Sequence, residues 1–87
     1  MPESVTYYAV IDELSSLERP AGVFRRAYFS DGGMADEAFT RNLIWEDSSL
    51  LAAAERGDTM NDFVEISEDE ANQIVARFRA QADRAAE

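Results

Sequence analysis

Residues 5–11, VTYYAVI, have no clearly polar face, and this constrains the fold more than any other feature of the chain. β-Branched and aromatic residues favour an extended strand. In a strand, Val5, Tyr7, Ala9 and Ile11 point to one side, and Thr6, Tyr8 and Val10 to the other. A second run, GVFRRAYFS at 22–30, repeats the pattern between two turn signals, Pro20-Ala21-Gly22 and Asp31-Gly32-Gly33. There Phe24, Arg26 and Tyr28 share one face, and Val23, Arg25, Ala27 and Phe29 the other. Two neighbouring strands of this kind pair antiparallel, and the resulting sheet needs cover on both faces.

Two helices are expected. SSLLAAAERG at 48–57 has Asp47 or Ser48 as N-cap, strong helix formers in its middle and Gly57 just past its end. A longer helix follows FVEI, a brief strand at 63–66. Ser67 and Glu70 have the S-x-x-E spacing of a capping box, with Ile66 and Ala71 in the flanking staple positions. Glu68, Asp69 and Glu70 sit in the first turn, at the positive end of the helix dipole. This acid cluster therefore reads as the start of a helix and not as a site. Ala71, Ile74, Val75, Phe78 and Ala82 form the apolar stripe, Arg77, Arg79 and Arg84 lie towards the far end, and the chain is expected to fray from about 82 onward.

Between these parts, DEAFTRNLIWE at 36–46 fits both periods: Phe39 and Leu43 are four apart, while Phe39, Arg41, Leu43 and Trp45 alternate. A third strand is the better reading, because SDGGMA makes a loop back into an antiparallel meander. DTMND at 58–62 reads as a loop. The expectation is one α+β domain: a three-stranded meander and a short fourth strand, packed with one short and one long C-terminal helix. Eighty-seven residues suffice for one domain that buries about 60–65% of its unfolded surface.

Composition narrows the chemistry. The chain has no His and no Cys, and all eight basic residues are Arg. This excludes Ser-His-Asp and Cys-His arrangements, disulfides, ordinary zinc sites, Schiff-base lysines and the P-loop. DTMNDFVEISED begins and ends in Asp like a calcium loop, yet it places Met60 at a ligand position and Phe63 where the loop requires Gly. DGGM reads as a turn, and Arg25-Arg26 as two guanidinium groups pairing with local acids and lying over aromatic rings. Trp45 reads as a core or sheet-edge anchor. No catalytic residue, cofactor or metal site is assigned.

The net charge of −10 is spread along the chain, with seven acids against three Arg in residues 1–40 and eleven against five in 41–87. Such a field repels phosphate backbones and anionic lipid, and attracts a basic partner. No secretion signal or membrane-spanning run is evident, so a cytoplasmic protein is expected. The leading expectation is a non-enzymatic interaction module that binds a basic protein, as an accessory, inhibitor, antitoxin-like or immunity-like protein of bacterial or phage type. A nucleic-acid-charge mimic and a small carboxylate enzyme are the alternatives. Candidate partner-binding acids are those assigned to loops and turns: Asp12, Glu13, Glu18, Asp31, Asp36, Asp58 and Asp62. Tyr8, Phe24 and Tyr28 form a candidate apolar interface, and two apolar sheet faces with one long helix suggest a homodimer.

Overall fold

The computed structural model describes residues 2–40, 42–57 and 62–85. Strand β1 (Ser4–Ile11) pairs antiparallel with β2 (Gly22–Tyr28), β2 with β3 (Met34–Phe39) and β3 with β4 (Trp45–Asp47). The short helix α1 (Leu50–Glu55) carries the chain across the sheet to β5 (Asp62–Ile66), which pairs antiparallel with the free side of β1. Helix α2 (Glu68–Ala85) follows. The strand order is β4-β3-β2-β1-β5, so the first strand lies inside the sheet. The chain is thus α+β, an antiparallel sheet with one short and one long C-terminal helix.

The two helices lie on opposite faces. Tyr7, Ala9, Val23, Phe39, Trp45 and Ile66 cluster with Ala71, Ile74, Val75 and Phe78 of α2. On the other face Tyr8, Val10, Phe24, Ala38 and Phe63 cluster with Leu51 of α1. The alternation read in the first two strands therefore separates two small cores, as strand geometry requires. The short helix supplies the cover that the second face lacked in the sequence reading.

The expected strand at 36–46 is not one strand. β3 ends at Phe39 and β4 begins at Trp45, its register partner. In the turn between them Thr40 N–H donates to the Ile44 carbonyl and Leu43 N–H to that of Thr40. Leu43 has φ 64°, a left-handed conformation costly for a branched residue. It is held there because its side chain packs against the α2-face cluster. The expected single strand is thereby corrected to a hairpin.

The helix ends follow local chemistry. Ser67 N–H donates to Glu70 Oε1 and Glu70 N–H to Ser67 Oγ, each at 3.1 Å, completing the capping box. Helix α1 starts after Ser49, in place of the expected Asp47 or Ser48, because Asp47 is used in β4. Gly57, at φ 78°, ends it as expected. Helix α2 runs on to Ala85; of the expected loop at 58–62, Asp62 instead begins β5, and 58–61 lie outside the described residues. Among the described residues no helix is long and apolar enough to cross a membrane.

Candidate partner-binding surface

Strand register fixes where the candidate acids lie. Ile11 pairs with Asp62 and is followed directly by Asp12, so the loop after β1 and the start of β5 occupy the same end of the sheet. Asp12, Glu13, Glu18 and Asp62 are all exposed there. Asp31 lies at the opposite end, in the turn between β2 and β3, where its Oδ1 accepts from Gly33 N–H at 2.9 Å. Asp58 lies outside the described residues.

The loop after β1 is ordered by its own polar groups. Asp12 Oδ1 accepts from Leu14 N–H at 2.9 Å, Asp12 N–H donates to Ser15 Oγ at 2.8 Å, and Ser16 and Arg19 exchange backbone hydrogen bonds. Arg77 of α2 reaches across to donate to the Glu18 carbonyl at 2.8 Å. The loop holds Glu13 and Glu18 in water together with two leucines, Leu14 at 98% exposure and Leu17 at 53%. The sequence singled out only the acids of this loop, Asp12, Glu13 and Glu18, and not these leucines.

Asp36 departs from its expected role. It belongs to β3, opposite Arg26, and is half-buried. Arg26 is itself only 5% exposed. It donates through Nε and Nη2 to the two Asp36 oxygens, at 2.7 and 2.9 Å, and through Nη1 and Nη2 to the Glu55 carboxylate of α1, at 2.9 and 2.7 Å. These bonds to Asp36 first, and then to Glu55, raise the pKa of Arg26 further above its ordinary value. The same guanidinium lowers that of Glu55. A carboxyl serving as general acid needs the opposite displacement, so this triad is suited to tying α1 to the sheet and not to proton transfer.

On the other face Arg25 pairs with Glu37 at 2.8 Å and lies 4.2 Å above the Trp45 ring. This is the pairing with a local acid and an aromatic ring expected for the two adjacent arginines. Tyr7 OH donates to Glu68 at 3.3 Å. Burial, and then the Glu68 carboxylate, hold the Tyr7 phenol above its usual range, and burial followed by neighbouring Tyr28 does the same for Tyr8.

The candidate apolar interface is divided by this packing. Tyr8, Phe24 and Tyr28 do share a face, as alternation requires, but Phe24 is buried beneath α1 with its ring edge-on to Phe63 at 5.1 Å. Tyr8 and Tyr28 are half-buried. Among the described residues no group of three or more acids is placed to hold a metal ion.

Of the candidate acids, Asp12, Glu13, Glu18 and Asp62 share one end of the sheet, next to the outer side of β5. Beyond β5 the described residues provide no further strand. Compared with protein-family models, with curated proteins and with solved structures, the chain matches none.

Proposed function

We propose that the protein is a non-enzymatic interaction module that binds a basic protein partner through the acidic end of its sheet. The observation that carries this reading is the unequal use of charge. Arg25 and Arg26 are committed to internal acids and rings, whereas Asp12, Glu13, Glu18 and Asp62 stand exposed at one end. The paired arginines largely cancel the acids they hold, and at that end the four exposed carboxylates outnumber Arg19 and Arg77 beside them, so the local field is negative and steers a cationic surface towards encounter.

The test begins with affinity capture of a partner from the native host, followed by association kinetics on the purified pair. The on-rate should fall roughly tenfold or more between low and physiological salt, because attraction acts over about one Debye length. Neutralising Asp12, Glu13, Glu18 and Asp62 together to Asn or Gln should reproduce that fall. Neutralising Glu68 and Asp69 should do less, because these acids also interact with their own helix terminus. An on-rate indifferent to both salt and the four substitutions overturns the reading.

A further inference from the structure

Each edge of a sheet offers unpaired backbone donors and acceptors, and proteins blunt such edges with short strands, prolines, bulges or charged side chains, which turn away like-charged or apolar strands but not oppositely charged ones. At one edge β4 is blunt, with three residues. At the other, β5 has five, DFVEI, without proline or lysine. It presents one exposed acid on each face, Asp62 and Glu65, while Phe63, Val64 and Ile66 are partly covered. Helix α2 packs mainly over β1 and β2 and meets β5 at Ile66, and α1 touches β5 from the other face.

A groove accompanies β5 on each face. On the α2 side a cavity of about 470 Å³ has Leu17, Ile66 and Ile74 among its apolar walls and Glu18 and Glu70 among its acids. Arg77, also in this groove, is engaged with the Glu18 carbonyl. On the α1 side a cavity of about 320 Å³ combines Leu51 and Phe63 with Glu55 and Asp62. Apolar walls with carboxylates match the side chains of Lys and Arg, whose stems lie on apolar surface while their charged ends seek anions. A strand added beside β5 would direct alternate side chains towards the two grooves, as in β-strand addition.

Resting on the basic-partner reading, we infer that the outer edge of β5 docks an extended, Lys/Arg-rich segment of the partner as a sixth strand of the sheet. A second copy of the chain is a poorer occupant. It would crowd its own Asp62 and Glu65 against these two and set side by side two chains of net charge −10.

The probe is a short capped peptide of arginine and threonine, titrated into the isotope-labelled protein and followed by amide chemical shifts. Saturable shifts are expected at Asp62–Ile66 and at Leu17, Ile74 and Leu51. N-Methylation of alternate peptide amides should weaken binding about tenfold or more by deleting ladder hydrogen bonds. The double variant D62N/E65Q, altered at exposed positions, should weaken it comparably. The proposal is overturned by an absence of saturable shifts, by binding indifferent to N-methylation, or by equal binding of a glutamate-threonine peptide. It is also overturned if the β5 shifts depend on protein concentration without peptide, which would make a second copy the occupant. A peptide that binds only at the loop after β1 removes the edge site and leaves the basic-partner reading standing. That reading is judged separately, by the salt dependence of the captured partner's on-rate.

Discussion

Replacing Arg26 by Met keeps most of the volume of the side chain and removes its four charged hydrogen bonds. The two carboxylates it leaves behind differ. Asp36 has a side chain only 15% exposed, whereas that of Glu55 is 59% exposed and can turn to water. The cost therefore comes mainly from Asp36. Breaking a buried ion pair costs about 3–5 kcal/mol, and because part of this site is open the lower end applies, about 3 kcal/mol. For a domain of this size that corresponds to a fall in Tm of about 12–24 °C, from roughly 4–8 °C per kcal/mol. Asp36→Leu alone should be similarly damaging, since it leaves a buried guanidinium with one partner. The double variant R26M/D36L should return to within about 1 kcal/mol of the parent, because an apolar pair removes the desolvation cost of both charges. Urea denaturation of the four proteins closes the cycle. If R26M loses less than about 1 kcal/mol, or if the double variant loses the sum of the two singles, the triad does not hold α1 to the sheet in the manner described.

Leu51→Ala should cost about 2–5 kcal/mol in urea titration, because Leu51 fills the second core from α1, and a value near zero would mean that α1 does not cover that face. Ser67→Ala should cost about 0.5–2 kcal/mol and Glu70→Gln less, since Gln still accepts from the Ser67 amide; equal losses would argue against a reciprocal box. Folded-state pKa values raised above the tyrosine reference of 10.0 place extra protons on Tyr7 and Tyr8 relative to the unfolded chain. Their contribution to stability is therefore complete below pH 10 and is lost as pH rises through the folded values. Thermal melts across the alkaline range, with tyrosinate absorbance as a second readout, should show Tyr7→Phe and Tyr8→Phe flattening that decline, and an unchanged decline in both variants would contradict it.

The parts legible in the sequence were those whose causes are local. The cap at Ser67, the stripe of α2 and the two faces of β1 and β2 are each determined by residues within a few positions. The hairpin at 40–44 was not legible, because its left-handed position is occupied by Leu43 and not by the glycine or asparagine that marks such turns. Arg26 was legible as a paired guanidinium but its partners were not, because Asp36 and Glu55 lie 10 and 29 residues away, and only pairing of β2 with β3 and the passage of α1 over the sheet bring them together. For the same reason Asp36 read as a loop acid. The outer edge of β5 depends on strand order, which hydrophobic patterning does not encode.

The position of β1 also bears on how a nascent chain avoids its neighbours. β1 and β2 form a local hairpin, but β5 reaches β1 from about fifty residues away, after the α1 crossover. Contacts that close long loops form late. Until they do, VTYYAVI presents a bare strand edge rich in β-branched and aromatic residues, the type of segment that templates aggregation. When β5 docks, it replaces that edge with one bearing Asp62 and Glu65. The fifth strand thus acts as a gatekeeper for the first, and slowing its arrival should increase aggregation during refolding without altering the folded product.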